Sequence, residues 1–341
     1  MPEGGKIMTM LHHKKVSKLI KILAIPAFLL FSVPAFANST DTTDYKEGVI
    51  SGSNIYFDRS SSLAIWEWGQ YICSGLLQND YSIIEPCIEG AMTDEIRYMA
   101  ACDGYIYVAT ERDVRRIPAQ AFTGNGGILS TDIVYDDDLV YGFEIYDGYM
   151  YMLTQSQVKR VPLSGGTPQS LASGVYDFEL TNRGIIYTLD GGGLMYAEHD
   201  GSNSRMLLET PDFTKFLVNG SLLMYRDNDN RMFELCFLQD GYSLDVRPYH
   251  TPEDLGDFYF VWPYLFYEAE DDKIYRLNME SDEEVPVNFT VLWSREDRTI
   301  LDNRVLYYRS GDSIRIRDLK NIYAEYNYDA DIDLIEIFGA K

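Results

Sequence analysis

One strand signature returns along this chain at intervals close to the length of a propeller blade. A turn-forming residue is followed by an aliphatic residue and then by an aromatic or large apolar one. The seven landmark pairs are Ile55-Tyr56, Ile106-Tyr107, Met150-Tyr151, Ile186-Tyr187, Leu223-Met224, Leu265-Phe266 and Leu306-Tyr307. A period of roughly 40–50 residues built from short strands is typical of a β-propeller. The sequence therefore predicts an all-β fold, a single β-propeller with seven four-stranded blades, and six or eight blades are the alternatives.

The repeat unit is clearest in the third and fourth repeats. Each begins with a strand (residues 141–145 and 176–180) and continues after a turn into its landmark strand. Two further short strands follow in each repeat, at 158–161 and 169–172, and at 194–197 and 205–208. Glycines in the intervening turns supply the positive φ that tight hairpins need. Four strands joined by three turns make one propeller blade.

A strand-like run near the C-terminus, residues 332–337, allows two ways of closing the ring. It could complete the last blade, or it could pair with an N-terminal strand near Val49-Ile50. Closure matters because an open propeller would expose two unpaired sheet edges. The sequence leaves both arrangements open.

The first 37 residues have the features of a signal peptide. The basic part contains Lys14, Lys15, Lys18 and Lys21. An apolar run follows at 22–31, and Ala35-Phe36-Ala37 matches the small-x-small motif of signal-peptidase cleavage. We therefore expect residues 1–37 to be removed, so that the mature chain begins at Asn38 and is exported to the periplasm or to the outside.

A retained membrane anchor is the alternative for this leader. The apolar stretch 22–37 contains Pro26 and Pro34, and it is shorter than the about 20 residues that a membrane span needs. Beyond the leader, we expect a short N-terminal segment at 38–45 and a propeller domain at 46–341. No second apolar run in the sequence is long enough to cross a membrane.

Charge narrows the classes of partner. The whole chain carries a net charge of −24, and loss of the leader removes five lysines and one glutamate. Such a surface repels polyanions, which argues against nucleic acid and against anionic lipid headgroups. Acidity keeps an exported β-rich protein soluble, and it also favours a cationic ligand or partner.

The four cysteines show no C-x-x-C spacing, which argues against zinc and against a thioredoxin-like motif. Cys73 and Cys87 flank a turn in the first repeat and are the preferred disulfide, since an exported chain can oxidise. Cys102 is a competing partner. Cys236 lies in an apolar strand and is predicted to be a buried free thiol.

Motifs that carry catalysis are scarce, and we predict no catalytic residue. His199 and His250 are the two histidines beyond the leader, and both are expected in solvent-facing positions. The chain contains no G-x-S-x-G elbow, no H-E-x-x-H pair and no Gly-rich phosphate loop. Paired basic residues at 115–116 and 159–160 could form an anion site, but their recurrence in the third strand favours a structural role.

Acidic clusters at 136–138, 227–230 and 268–272 offer oxygen ligands for calcium. None has the spacing of the twelve-residue calcium loop. We therefore expect acidic hairpin turns, with no metal and no cofactor. Calcium held by Asp227 and Asp229 is the best alternative.

One part of the chain resembles a known repeat. Ile186-Tyr187-Thr188 is followed by a strand at 194–197 and by Asp200-Gly201-Ser202. This run resembles the YWTD-type propeller repeat, in which a Tyr-rich strand precedes a strand ending in Asp-Gly-Ser. It is also similar to exported bacterial propeller domains of the DUF5050 type. The resemblance implies a propeller that is used for binding, and it supplies no functional residue.

These observations together favour an exported non-catalytic propeller, a binding or interaction module for a peptide, a glycan or an envelope protein. Tyrosine is abundant, at 27 of 341 residues, and it joins apolar area to a hydrogen-bonding tip. The alternative is a propeller hydrolase or lactonase with a divalent metal near the central channel. A structural or surface-layer role is the third hypothesis. The ligand-binding residues and the binding face are not predicted.

Overall fold

The structure is a computed structural model. It describes residues 46, 48–53, 55–58, 62–79, 81–122, 127–209, 213–219, 222–227, 232–238, 244–249, 258–261, 263–269, 273–287, 298–301, 305–310, 313–318 and 332–333. The predicted signal peptide and the segment 38–45 lie outside this range. All described strands fall within one compact unit, Ser32–Lys341.

The described strands form seven antiparallel sheets, numbered here along the chain. Sheet 1 contains β2 (Ile55–Asp58), β3 (Leu63–Trp68), β4 (Tyr71–Leu77) and β5 (Ile83–Ala91). Sheet 2 contains β6 (Ile96–Cys102), β7 (Tyr105–Thr110), β8 (Val114–Pro118) and β9 (Asp132–Tyr135), with a 3-10 turn at Ala119–Ala121. Sheet 3 contains β1 (Ile50–Ser51), β10 (Val140–Tyr146), β11 (Tyr149–Thr154), β12 (Gln157–Pro162) and β13 (Gln169–Ser173).

The remaining sheets have four strands each. Sheet 4 contains β14 (Val175–Thr181), β15 (Gly184–Leu189), β16 (Leu194–Ala197) and β17 (Arg205–Leu208). Sheet 5 contains β18 (Phe213–Asn219), β19 (Leu222–Asp227), β20 (Met232–Leu238) and β21 (Leu244–Tyr249). Sheet 6 contains β22 (Phe258–Val261), β23 (Tyr264–Glu268), β24 (Ile274–Asn278) and β25 (Glu283–Pro286). Sheet 7 contains β26 (Arg298–Leu301), β27 (Val305–Ser310), β28 (Ser313–Asp318) and β29 (Ile332–Asp333).

The predicted all-β propeller class is confirmed, but the predicted count of seven blades is not. Side chains are described along most strands of five sheets, namely sheets 1, 2, 3, 4 and 6. These five are the blades that the structure establishes. Sheets 5 and 7 are described largely as backbone. The count of seven therefore stays a prediction.

The sheets pack face to face, so the core consists of layers between neighbours. Phe143 and Met150 of sheet 3 share one buried cluster with Tyr107 of sheet 2. Across sheet 3, Tyr151 shares the next cluster with Phe178 of sheet 4. Because both faces are covered, the second strands of sheets 1, 2, 3, 4 and 6 are buried along most of their length.

The first strand of each four-strand repeat, which is β10 in sheet 3, lies toward the propeller axis, and β1 is added to the inner edge of β10. The first strands contact one another in sequence, β2 with β6, β6 with β10, β10 with β14, β14 with β18, and β18 with β22. The other three strands of each sheet extend outward from this ring, as in other propellers. Side chains on the first strands are therefore candidates for a site at the channel.

Six of the seven landmark pairs lie in second strands, as the repeat requires, but the first does not. Ile55 and Tyr56 belong to β2, the first strand of sheet 1. Their counterpart is Ile65-Trp66 in β3. Ile65 lies 41 residues before Ile106. The error arose because β2 has the same aliphatic-aromatic composition as a second strand.

The structure places the two terminal strands of the propeller differently. Ile332 and Asp333 pair with β28, so the C-terminal run completes sheet 7. Ile50 and Ser51 pair instead with β10, on the edge of sheet 3 that faces the axis. The N-terminal strand therefore lies at the channel, and the described part of the C-terminal run, Ile332 and Asp333, pairs elsewhere. Among the described residues, no helix is long and apolar enough to span a bilayer.

Candidate functional site

Four consecutive first strands share an irregularity at the same position. The register of β6, β10, β14 and β18 with the following strand shifts after the first residue of each. The residues passed over are Arg97, Tyr141, Tyr176 and Thr214. A β-bulge redirects a side chain and is often found next to a functional site. The repeated bulge therefore marks one end of the propeller near its axis.

Three bulged residues with described side chains, Arg97, Tyr141 and Tyr176, are here called the rim residues. Tyr141 is 47% exposed and Tyr176 is 61% exposed, although both lie on strands of the inner ring. The beginning of β10 pairs with the end of β11, where Val140 faces Thr154. The rim residues therefore lie at the same end as the turns between second and third strands.

Ion pairs hold the turn of sheet 2 at this end. Asp113 is buried, and its carboxylate accepts hydrogen bonds from Arg115 Nε at 2.9 Å and from Thr110 Oγ1 at 2.9 Å. The hydrogen bonding of Arg115 to Asp113 is the main cause that raises the pKa of Arg115. Arg115 also reaches Asp94 at 3.4 Å, which ties the turn to the connection between sheets 1 and 2. Beside it, the rim residue Arg97 pairs with Glu111 at 2.8 Å.

One residue of the acidic cluster 136–138, Asp138, forms an ion pair. Lys159 Nζ lies 2.5 Å from Asp138 Oδ2. This hydrogen bond lowers the pKa of Asp138 and raises the pKa of Lys159. Among the residues that the structure describes, no group of three or more His, Cys, Asp or Glu side chains could hold a metal ion.

A charged cluster lies on the inner edge of sheets 3 and 4. The N-terminal residues 46 and 48–53, here called the inner segment, bring Lys46 Nζ to 2.9 Å from Glu144 Oε1 and into contact with Glu179 Oε2. Ser51 Oγ donates to the same Glu144 oxygen at 2.5 Å. The backbone N–H of Leu180 donates to Glu144 Oε2. Two carboxylates from neighbouring blades thus converge on one ammonium group.

Burial makes this cluster unlike the rim. Glu144 is 3% exposed and Glu179 is 4% exposed. Burial acts to lower the pKa of Lys46, but the attraction and hydrogen bonds of Glu144 and Glu179 outweigh it and raise that pKa above 10.5. The same position is occupied by Ala100 in sheet 2 and by Leu217 in sheet 5, both buried. Sheets 2 and 5 therefore lack the carboxylate that sheets 3 and 4 place at this position.

The inner segment continues along the channel edge past this cluster. The N–H of Gly52 donates to the carbonyl of Phe143 at 2.8 Å, and Ser53 exchanges backbone hydrogen bonds with Met99 of β6. A Cβ atom at Gly52 would lie 3.0 Å from both the ring and the carbonyl oxygen of Phe143. Glycine at this position therefore permits the close approach of the segment to β10.

The structure does not bring together the two cysteines of the predicted disulfide. Cys73 pairs with Ile88 and Ser74 pairs with Cys87, so the two cysteines point to opposite faces of sheet 1. The Cys87 thiol is free and lies 3.4 Å from Ser74 Oγ. Cys102, at the end of β6, is also a free thiol. The side chain of Cys236 lies outside the described residues.

Of the two calcium candidates, Asp227 is the last residue of β19, and its side chain is not described. Asp229 lies outside the described residues, as does His250. His199 was predicted to face solvent, and the structure shows it half-buried between two sheets. Its ring stacks on Tyr146 with centroids 4.8 Å apart, and its Nε2 lies 2.8 Å from the carbonyl oxygen of Thr181. It links sheets 3 and 4.

The basic residues of the third strands support the structural interpretation over an anion site. In three sheets, an arginine of the third strand lies over a tyrosine ring at the start of the second strand. The pairs are Arg116 over Tyr105 at 5.1 Å, Arg160 over Tyr149 at 4.7 Å and Arg276 over Tyr264 at 4.7 Å. This recurring cation–π contact explains why basic residues repeat there. The bulges, by contrast, were not predicted, and for the inner segment the sequence predicted a strand near Val49-Ile50 but not its pairing with β10.

No family model and no curated protein matches the chain. Solved propellers are similar in structure. Hsv2p of Kluyveromyces lactis gives a TM-score of 0.54 at 10% identity, over 78% of this chain and 92% of that one. The WD40 β-propeller domain of Doa1 gives 0.51 at 10% identity, over 81% and 99% of the two chains. The N-terminal domain of Nup159 gives 0.50 at 10% identity, over 79% and 90%. At this identity the likeness shows the fold alone, and that fold is a β-propeller.

Proposed function

We propose that the chain is an exported, non-catalytic, seven-bladed β-propeller that binds a peptide or an envelope protein through the rim residues. The observation that carries the proposal is the repeated bulge, which presents Arg97, Tyr141 and Tyr176 at equivalent positions of neighbouring blades. The proposal includes the relation to DUF5050 and YWTD-like propellers that the sequence suggests. It rests on the rim and not on the fold, because propellers have many unrelated functions.

The chemistry of the rim supports recognition of a peptide or a protein. Tyrosine and arginine are the residue types that most often dominate binding energy at interfaces. Tyr141 and Tyr176 are exposed on rigid inner strands, so little side-chain conformational entropy is lost on binding. The ion pairs of Asp113 and Arg115 hold the neighbouring turn in place.

Shared core clusters support the count of seven blades. Buried clusters join sheets 1 and 2, 2 and 3, 3 and 4, 4 and 5, and 5 and 6. A further cluster joins sheet 1 to sheet 7, where the rings of Phe57 and Tyr307 are 4.1 Å apart. An experimental density map of the ring tests the count. Export is tested by the N-terminal mass of the processed protein, which should begin at Asn38.

The rim is tested by measuring the binding of selected ligands to the full chain and its variants. The tightest ligand from peptide and glycan arrays would be titrated against wild type, Tyr141→Ala and Tyr176→Ala. We expect each substitution to raise Kd at least about tenfold, which corresponds to about 1.4 kcal/mol. Both tyrosines are exposed, so the variants should keep wild-type stability.

Matched controls are exposed apolar residues on outer strands. Ile133 in β9 is 55% exposed and Met206 in β17 is 50% exposed. Ile133→Ala and Met206→Ala should leave Kd unchanged. If the controls weaken binding as much as the rim variants do, the rim is not the binding site. If the protein binds only glycans on the arrays and the rim variants weaken that binding, the rim is the binding site and its ligand is a glycan.

A further inference from the structure

The ammonium site of Glu144 and Glu179 is separate from the rim and is not used by the proposed function. Its occupant in this structure is the chain itself, through Lys46. The two glutamates come from β10 and β14, and the N–H of Leu180 fixes the orientation of Glu144. The pocket is therefore built by the blades, whereas the ammonium group is brought by a separate segment.

The segment that brings the ammonium has a small strand contact. β1 has two residues, Ile50 and Ser51, and Ser51 is exposed. It is added to the axis-facing edge of β10, which is the way extended peptides bind to sheet edges. The inner segment thus binds to β10 as a separate peptide would, although it belongs to the same chain.

Charge points to the class of partner that could replace it. The chain has a net charge of −24, which attracts cationic segments and speeds their association. A lysine on an extended segment is the group that the pocket already binds. Ser51 Oγ, which donates to the same Glu144 oxygen, shows where a hydroxyl or similar donor on that segment would lie.

We propose that Glu144 and Glu179 form a lysine-binding pocket beside the edge of β10, that the inner segment occupies this pocket in the resting chain, and that an extended lysine-bearing segment of a partner protein replaces it. Exchange would release the N-terminal residues from the channel. The partner segment would add to β10 as β1 does.

Chemical rescue tests the pocket. In the full-length variant Lys46→Ala, n-propylammonium replaces the atoms that the substitution removes, and we expect it to raise the melting temperature in a saturable manner. Tetramethylammonium, which has the charge but no N–H donor, should have no such effect. In the triple variant Lys46→Ala, Glu144→Gln, Glu179→Gln, propylammonium should also have no effect. Equal responses of the single and triple variants would overturn the pocket.

Exchange is tested on the wild-type protein, so it does not depend on the stability of a variant. The probe is a synthetic peptide with the sequence of residues 45–53, and its control carries norleucine in place of the lysine. The readout is the rate at which Lys46 is acetylated, followed by mass spectrometry. We expect the lysine peptide to raise this rate at least threefold and the norleucine peptide to leave it unchanged. If neither peptide changes the rate, or both change it equally, replacement of the inner segment is excluded.

Discussion

The inner edge of sheets 3 and 4 and the rim of sheet 2 contain the same kinds of charged groups in different surroundings. At the inner edge, the side chains of Glu144 and Glu179 are 4% and 6% exposed. At the rim, the side chains of Arg97 and Glu111 are 33% and 60% exposed. Since water screens the second pair much more than the first, in which the Lys46 side chain is 20% exposed, the two pairings should have very different effects on stability.

The comparison separates a charge that is paired and buried in the resting chain from charges that are exposed to solvent. If Lys46 leaves the inner edge, Glu144 and Glu179 lose their ammonium partner unless another cation takes its place. Arg97 can rotate away from Glu111 at little cost, because both are hydrated. The rim is therefore open to a ligand directly, whereas a ligand at the inner edge must first replace Lys46.

The largest effect is expected at Lys46. Lys46→Ala should lower the free energy of unfolding by about 3–5 kcal/mol, because it leaves buried charge without its partner. Urea denaturation of the full chain measures this. Adding Glu144→Gln and Glu179→Gln should restore part of the loss. If the single variant is as stable as wild type, the inner edge is no different from the rim.

The contribution of Lys46 should also depend on pH. Its pKa is raised above 10.5 in the folded state, so its stabilising effect is fully present below that value and is lost as the pH rises through the folded pKa. The stability difference between wild type and Lys46→Ala should therefore be constant near neutral pH and shrink as the pH rises above 10.5. A difference that stays constant in alkaline solution would contradict the assignment. Taking the difference between the two proteins removes the titration of tyrosines.

An intermediate effect is expected at Asp113, which is buried at the rim. Asp113→Ala removes the acceptor for Thr110 Oγ1 and Arg115 Nε, and should cost about 1–3 kcal/mol. Asp94→Ala, which removes a longer contact to Arg115, should cost less. Thermal unfolding of both variants ranks them. The reverse order would show that the turn is held from sheet 1.

The smallest effect is expected at Arg97. Arg97→Ala should change the free energy of unfolding by at most about 1 kcal/mol, since it removes one exposed ion pair. The same variant should weaken binding to a rim ligand. A large loss of stability would mean that the rim and the inner edge do not differ as proposed.

Much of the strand pattern was predictable from local sequence. The predicted strands at 194–197 and 205–208 match β16 and β17, and the run at 169–172 lies within β13. Each is bounded by a glycine-containing turn, and Gly201 adopts a positive φ of 83°. Tight turns and apolar runs are short-range features, so a single sequence reveals them.

Features that depend on register were not predictable. Cys73 and Cys87 flank a turn, but the pairing of Ser74 with Cys87 places the two cysteines on opposite faces. A difference of one residue in register changes the face of every side chain, and a spacing along the chain does not contain it. The bulges that expose Tyr141 and Tyr176 were missed for the same reason.

Contacts between distant segments of the chain also could not be predicted from the sequence. Lys46 and Glu144 are 98 residues apart, and neither is part of a recognisable motif. His199 lies in a polar run that suggests solvent, yet its ring stacks on Tyr146 of the preceding sheet. Packing between blades decides the environment of both residues.

The amino-acid order by itself determined that the chain forms short strands in regular repeats, because turns and apolar runs act over a few residues. Only the tertiary structure decided which first strands carry bulges, where the N-terminal strand is added, and that two glutamates from adjacent blades share one lysine. The physical reason is that these features depend on register and on burial, and both arise when separate sheets pack around a common axis.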